Sequence, residues 1–282
     1  MNTLSAVAES SSPTPLAVER DGHELAGEAA GDGAPVVLLH GLTATRRYVV
    51  HGSRLLEREG FRVVAYDARG HGESTPAPEP GAYEYADLVD DLHALLDELG
   101  WERAALVGNS MGAATAMAFA LQHPGRVSAL VQVTPAYAGR PNEASYPEWD
   151  GLAEGMEAGG VDGFLEAYEP GSDPAYHETV MRFTRQRLER HAYPRAVADA
   201  LRVVPRSAAW DGLEPLEGLD LPVLVVGSRD EADPGHPRRV AEAYAERLPR
   251  AELVVEEEGT SPIAWQGAQL SRLLADFLGR EG

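Results

Sequence analysis

The feature that most constrains the fold of this chain is a serine, Ser110, at the centre of the sequence GNSMG (108–112). A short apolar run, 104–107, precedes this turn, and a helical run of small residues, 112–121, follows it. A serine at so sharp a strand-to-helix turn adopts strained backbone, and glycines flank it because a Cβ there would clash. The turn predicts an accessible Ser110 hydroxyl beside a Met111 amide that can donate to an oxyanion. A serine that only caps the helix is the alternative.

Strand-like apolar runs alternate with helical patterns along most of the chain. The apolar runs are 36–39, 62–66, 104–107, 127–133, 223–226 and 253–255. The main helical patterns are 55–59, 85–99, 112–121 and 270–278. This alternation implies right-handed crossovers and a parallel sheet that is covered by helices on both faces. The chain is therefore predicted to have an α/β fold.

The alternation stops between residues 136 and 215, where only helical patterns are found. These patterns are 149–158, 161–168, 177–189 and 194–203. We interpret 136–215 as a helical cap inserted between two core strands, and 15–135 with 216–282 as the core. Residues 1–14 are rich in Ser and Pro and are predicted to form a flexible tail.

Composition excludes several kinds of chemistry. The chain carries 45 Asp and Glu against 24 Lys and Arg, a formal net charge of −21, which argues against nucleic acid or an anionic membrane as a partner. All 24 cations are Arg, so Schiff-base and PLP chemistry are excluded, and the absence of Cys excludes a thiol nucleophile. No metal-binding spacing is found, so neither a metal nor another cofactor is expected. The start of the chain does not resemble a secretion signal and no apolar run approaches about 20 residues, so a cytoplasmic location is expected.

The GNSMG turn, the sequence HGL at 40–42 and the sequence DARGHGES at 67–74 together resemble the α/β-hydrolase superfamily over residues 15–280. The resemblance implies an α/β-hydrolase fold with a mostly parallel, eight-stranded sheet flanked by helices. These motifs at these spacings are specific for the fold, but they say little about the substrate.

The resemblance also implies roles for the two loops. His40 and Gly41 begin an oxyanion loop, in which the Leu42 amide is the second donor beside that of Met111. The 67–74 segment is expected to fold a tight structural loop, so its Asp and His are not expected to be catalytic.

In this family the chain order is serine, then an acid, then a histidine. The strand-like run 223–226 is followed by Asp230 just beyond its carboxyl end, and Asp230 is the preferred acid. Asp233 is the rival, and its other role is a turn or cap before a helix that begins near Pro237.

The base presents a problem, because the family's histidine follows the last strand in a setting similar to GH(S/T)P. Here residues 259–262 read GTSP, so Thr260 takes the place of the histidine and cannot accept a proton. In a first hypothesis, His236 supplies the imidazole from the acid loop. Pro237 is suited to the first helical position, which puts His236 at the N-cap, where the helix dipole keeps its ring neutral.

Two further hypotheses remain open. Glu258 of the acidic run could act as the base, or hydrolysis is lost and the pocket binds a ligand or performs another reaction. His51 follows the oxyanion loop closely enough to line the pocket, as Asn109 does beside the serine. The other histidines show no motif: His23, His93, His123, His177 and His191.

The predicted cap would cover the carboxyl ends of the strands, where active sites of parallel sheets lie. Five aromatic residues either line an apolar pocket or form the cap's own core: Trp149, Phe164, Tyr168, Tyr176 and Phe183. A covered pocket favours small or medium apolar esters, thioesters or lactones. The leading hypothesis is a serine-type hydrolase with an acyl-enzyme at Ser110. The alternative is a hydrolase-fold ligand-binding protein or a non-hydrolytic enzyme.

Overall fold

The computed structural model describes residues 12–281, so most of the predicted N-terminal tail lies outside the described residues. Eight strands form one sheet in the order β1-β2-β4-β3-β5-β6-β7-β8. Their bounds are β1 Thr14–Arg20, β2 His23–Ala30, β3 Ala34–Leu39, β4 Phe61–Tyr66, β5 Ala104–Asn109, β6 Val127–Val133, β7 Val223–Gly227 and β8 Ala251–Val255. The predicted eight-stranded sheet is confirmed.

Strands β3 to β8 pair in parallel, whereas β1, β2 and β4 pair in antiparallel fashion at one end of the sheet. The parallel strands β3 and β5 to β7 are almost entirely buried, so their sequences are continuous apolar runs. Strands β1 and β2 were not assigned to particular residues from the sequence. Buried residues alternate with more exposed ones in β2 and β1 is largely exposed, so neither strand has a continuous apolar run.

Helices cover both faces of the sheet. Their bounds are α1 Leu55–Arg58, α2 Tyr85–Glu98, α3 Met111–Gln122, α4 Tyr146–Ala167, α5 Pro174–Leu188, α6 Pro194–Val203, α7 Arg238–Arg247 and α8 Gly267–Glu281. Leu92 of α2, Phe119 of α3 and Tyr244 of α7 belong to the core on one face. Leu56 of α1 and Leu274 of α8 belong to the core on the other face. Within residues 12–281, none of the helices combines the length and the apolar composition that a membrane span requires.

The segment between β6 and β7 contains α4, α5 and α6 and, within the described residues, no strand. Two helices were predicted for 149–158 and 161–168. The single helix α4 covers both as far as Ala167, with a non-helical residue, Gly160, at φ 60° and ψ −138°. A Cβ on Gly155 would lie 2.3 Å from the carbonyl oxygen of Gly163, so the two parts of α4 meet through their backbones. The assignment of 136–215 as a separate cap stays a prediction.

The backbone of helix α3 packs directly against the backbone of the sheet, with no side chain between them. A Cβ on Gly112 would lie 2.3 Å from the carbonyl oxygen of Leu39, at the end of β3, and one on Gly108 would lie 2.2 Å from the carbonyl oxygen of Gly112. Real Cβ atoms do not approach that closely, so these two glycines set the position of the helix that follows Ser110.

We expect Gly112→Ala to lower the free energy of unfolding by roughly 3 kcal/mol or more, because backbone atoms rather than a mobile side chain must move. Gly279→Ala is the matched control, since Gly279 lies exposed in α8 with nothing within 4 Å of its added Cβ. The control should raise stability by up to about 1 kcal/mol through helix propensity. Urea unfolding of both variants checks this, and equal effects would contradict the proposed constraint.

Candidate active site

Ser110 lies between the last residue of β5 and the first residue of α3, with φ 52° and ψ −109°. Positive φ is unfavourable for serine, so the surrounding structure must hold the turn in place. The Ser110 N–H donates to the carbonyl of Val133 at 3.0 Å, and the Ala114 N–H donates to the Ser110 carbonyl at 3.0 Å. Ser110 is only partly buried and lines a cavity, as predicted from the turn.

His236 brings an imidazole to this serine. Its Nε2 lies 2.9 Å from the Ser110 hydroxyl oxygen, and its Nδ1 lies 2.8 Å from a carboxylate oxygen of Asp233. The arrangement is consistent when Nδ1–H donates to Asp233 and Nε2 accepts from the Ser110 hydroxyl. The side chains of His236 and Asp233 are 27% and 15% exposed, so the pair lies at the cavity wall rather than deep in the core. This is the geometry of a nucleophile, a base and an orienting acid.

The expectation that Asp230 is the acid does not agree with this geometry. The side chain of Asp230 instead accepts from the backbone N–H of Arg238 at 2.7 Å, at the first residue of α7. The first N–H groups of a helix lack intrahelical partners, so a nearby carboxylate satisfies one of them. Asp233 lies one turn before His236, whose N–H donates to the Asp233 carbonyl at 3.1 Å, and this turn brings the two side chains together.

The start of α7 also differs slightly from the prediction. His236 was expected at the N-cap with Pro237 as the first helical residue, but Pro237 is the N-cap and the helix begins at Arg238. His236 therefore lies in the loop just before the helix.

The loop after β8 does not supply a base among its described residues. Thr260 is exposed, and its hydroxyl donates to the Glu257 carbonyl at 2.7 Å. The Glu258 side chain is 86% exposed and lies 3.7 Å from Arg229. Neither Thr260 nor Glu258 lines the cavity that contains Ser110.

His51 does line the cavity, but its role is structural in this geometry. Its Nε2 lies 2.9 Å from the carbonyl oxygen of Ala264, which ties the segment after the oxyanion loop to the segment after β8. Burial is the largest influence on His51 and lowers its pKa, so the ring is neutral and can donate to this carbonyl.

The predicted oxyanion loop lies against the serine. A Cβ on Gly41 would be 3.2 Å from the Cβ of Ser110 and 3.1 Å from the side-chain oxygen of Asn109. Gly41, Leu42 and Asn109 line the same cavity as Ser110, while Met111 is buried at the first position of α3. The roles of the Leu42 and Met111 amides as oxyanion donors remain predictions.

The His40 ring connects the predicted oxyanion loop to Ala68, at the start of the 67–74 loop. Its Nε2 accepts from the Ala68 N–H at 2.9 Å, so Nδ1 carries the proton and donates to the Gly41 carbonyl at 2.8 Å. Burial and the neighbouring His71 lower the pKa of His40 well below its ordinary value, which agrees with a neutral ring. His40 thus positions Gly41 from outside the cavity.

The 67–74 loop has the structural arrangement predicted for it. The carboxylate of Asp67 accepts from the backbone N–H groups of Arg46 at 2.7 Å and Glu73 at 3.0 Å, and pairs with the Arg46 guanidinium. The Ser74 hydroxyl donates to the Asp67 carbonyl at 2.6 Å. Neither Asp67 nor His71 lines the cavity that contains Ser110. A second cavity, of about 570 Å³, borders Asp67 and Arg46 and includes none of Ser110, Asp233 or His236.

The cavity around Ser110 has a volume of about 460 Å³, within the range of small-molecule sites. Four of the five predicted aromatic residues line it: Trp149, Phe164, Tyr168 and Phe183. Tyr176 does not, and its ring packs near that of Trp265 with centroids 6.0 Å apart.

Sequence reasoning missed many of the lining residues, among them Tyr48, Arg187 and Trp265. Trp265 closely follows the GTSP segment and could have been found from its nearness to the family's histidine position. Tyr48 and Arg187 carry no such signal. Within residues 12–281, no group of three or more His, Asp or Glu side chains is arranged to hold a metal ion.

Comparison with known proteins agrees with this architecture. Residues 34–267 match the family described as "alpha/beta hydrolase fold". The chain therefore belongs to the α/β-hydrolase family.

Individual relatives include enzymes of several activities. The chain is 27% identical to the non-heme chloroperoxidase CPO-A1 of Kitasatospora aureofaciens, over 94% of this chain and 100% of the relative. A thermophilic esterase from Thermogutta terrifontis, solved with malate bound, is similar with a TM-score of 0.78 and 27% identity, covering 96% of this chain and 99% of that one. The enol-lactonase from Burkholderia xenovorans LB400 has a TM-score of 0.74 and 25% identity, covering 94% and 100%. The esterase and the enol-lactonase among these relatives support the conclusion that this protein is a hydrolase.

Three buried histidines behind the oxyanion loop lead to a prediction about pH. His71 lies with ring centroids 5.2 Å from His40 and 5.5 Å from His191, and burial lowers the pKa of His71 to about 4 and that of His191 to about 3. Between the ordinary value of 6.5 and these values the unfolded chain binds protons that the folded chain does not. The free energy of unfolding should therefore fall as pH is lowered from 6.5 toward 4, by the order of a few kcal/mol.

The variant His71→Gln removes one of these titrating groups, so its free energy of unfolding should fall less steeply over the same pH range, whatever its value at neutral pH. Urea unfolding at half-unit pH steps measures both slopes. Parallel curves for the two proteins would show that His71 does not contribute.

Proposed function

We propose that this protein is a serine-type hydrolase in which Ser110 is the nucleophile, His236 the general base and Asp233 the acid that orients the base. The observation that carries the proposal is the continuous contact from Asp233 through His236 to the Ser110 hydroxyl, with distances of 2.8 and 2.9 Å. Both are hydrogen-bond distances, and the contact between His236 and Ser110 is the one across which a proton moves.

The first half of the reaction follows from this geometry. As the Ser110 oxygen attacks the substrate carbonyl carbon, its proton passes to Nε2 of His236, and the resulting imidazolium is stabilised by the Asp233 carboxylate. The carbonyl oxygen becomes an oxyanion and accepts hydrogen bonds from the Leu42 and Met111 N–H groups. The bond to the leaving group then breaks, and the leaving oxygen or sulfur takes the proton from His236.

The second half repeats the same steps with water. His236 accepts a proton from water as the water oxygen attacks the acyl carbon, and the bond to the Ser110 oxygen breaks. The serine recovers its proton from His236, and the carboxylic acid product leaves.

The cavity supports a small or medium ester, thioester or lactone as the substrate. Aromatic side chains form much of its wall, and a volume of about 460 Å³ suits a small molecule rather than a polymer. The similarity to an esterase and to an enol-lactonase supports the same class.

The competing hypothesis is a ligand-binding protein or non-hydrolytic enzyme without a working base. The observation that favours it is Thr260 at the position of the family's histidine. The contact of His236 with Ser110 supports the hydrolase instead, because an imidazole is present beside the nucleophile.

Replacing the nucleophile or the base should abolish turnover. We expect Ser110→Ala and His236→Ala each to lower kcat on 4-nitrophenyl esters by roughly 10⁴-fold or more. Labelling with a fluorophosphonate probe should be lost in Ser110→Ala and slowed in His236→Ala. Wild-type protein that neither cleaves these esters nor reacts with the probe would rule out the proposed mechanism for simple esters.

The two acidic residues of the loop can be separated by a matched pair of variants. Asp233→Asn should lower kcat by about 10³–10⁴-fold, because the orientation and stabilisation of His236 are lost. Asp230→Asn should leave kcat nearly unchanged and lower stability by at most about 1 kcal/mol through its contact at the start of α7. Steady-state kinetics and urea unfolding measure the two effects. A large loss of kcat in Asp230→Asn would instead identify Asp230 as the acid.

The variant Thr260→His separates the two functional hypotheses. Because position 260 is exposed and outside the cavity, the new histidine should not raise esterase activity. An increase, together with unchanged activity in His236→Ala, would support the protein without a working base.

A further inference from the structure

Arg187 provides a cation inside the cavity that the reaction does not use. It lies in α5, and it is the only arginine among the residues that line the cavity, in the part of the chain that the structure describes. The protein contains no lysine. Among the described residues that line the cavity, the basic side chains are therefore Arg187 and the two histidines His51 and His236.

Among the described residues, the Nε of this guanidinium has no partner and the group has no carboxylate paired with it. Its Nε is buried and has no hydrogen-bond partner, and no described carboxylate lies within 4.0 Å of its nitrogens. Arg185, two residues earlier on the same helix, is instead paired with Asp162 at 2.7 Å on the surface. Burial lowers the pKa of Arg187, and Tyr168, Asp233 and Tyr48 partly offset that effect.

The acidic groups of the cavity wall leave Arg187 without a partner. Asp233 is engaged with His236 at 2.8 Å, and Glu148 and Glu169 are exposed. Arg187 is half-buried with its Nε shielded from solvent, and shielding a cation costs free energy unless an opposite charge pairs with it. A guanidinium offers a planar set of donors that matches a carboxylate. The matching charge is therefore expected from a ligand.

We propose that Arg187 binds a carboxylate on the substrate, so that the enzyme prefers esters, thioesters or lactones that carry a second, anionic carboxylate. The inference rests on the proposed hydrolase function and narrows its substrate class. It assigns to Arg187 a role in specificity, since Ser110, Asp233 and His236 perform the chemistry.

Matched pairs of substrates test the preference. Mono-4-nitrophenyl esters of dicarboxylic acids from succinate to suberate are compared with neutral 4-nitrophenyl esters in which a methyl group replaces the free carboxylate. At the best chain length, wild-type kcat/KM should favour the anionic ester by roughly ten- to a hundredfold, the range for a hydrogen-bonded charge pair. The variant Arg187→Gln should abolish that preference, and Arg187→Lys should retain part of it.

Arg185→Gln is the matched control, because it removes the same charge from the same helix outside the cavity. It should keep the wild-type preference. If Arg187→Gln lowers kcat/KM equally for anionic and neutral esters, Arg187 acts through Asp233 and the inference is wrong. It is equally wrong if wild type shows no preference at any chain length.

A binding measurement separates failure of this inference from failure of the proposed function. Calorimetry with monomethyl glutarate, and with the monomethyl ester of the preferred chain length, is carried out on Ser110→Ala and on Ser110→Ala/Arg187→Gln. Binding that is weakened roughly tenfold or more by the second change supports the anion site even if wild type cleaves no ester. Ester cleavage with no effect of Arg187→Gln on binding or preference would leave the hydrolase in place and overturn the anion site.

Discussion

The site depends on the direct approach of the α3 backbone to the end of β3. Gly112 lies so close to the carbonyl of Leu39 that no side chain fits between them. This approach leaves Ser110 at positive φ, with its hydroxyl turned into the cavity rather than into the sheet. The strain at one residue is tolerated because hydrogen bonds on both sides of it, to Val133 and from Ala114, hold the turn.

A second constraint is the short loop between β7 and α7. The family resemblance predicts the acid in the loop after β7 and the histidine in the loop after β8, in the chain order serine, acid, histidine. Here Asp233 and His236 are three residues apart, and a single turn places the Asp233 carboxylate against His236 and the His236 ring against Ser110. In the loop after β8, Thr260 lies outside the cavity, and Trp265 from the segment that follows it lines the cavity.

Much of the fold could be predicted from sequence because strands that are buried on both faces of a parallel sheet consist of continuous apolar runs. Strand β6 and helix α6 have the predicted bounds, and the other predicted strands differ by at most two residues at either end. The positions of strands β1 and β2 could not be predicted from the sequence, because exposed residues interrupt their apolar pattern. Gly160 lies in the gap between the two helices predicted at 149–158 and 161–168, but the sequence did not show that the halves of α4 touch through Gly155 and Gly163.

The sequence by itself determined the sharp turn at Ser110, the family and the presence of Thr260 where the resemblance implies a histidine, since each depends only on local residue order. It also identified His236 as a possible base. Only the tertiary structure distinguished the surroundings of Asp230 and Asp233, because the two carboxylates are three residues apart and a turn directs one to a helix N-terminus and the other to the imidazole. Nor could the sequence show that the Nε of Arg187 has no partner among residues 12–281, since the surroundings of an arginine on a helix depend on what the rest of the chain packs around it.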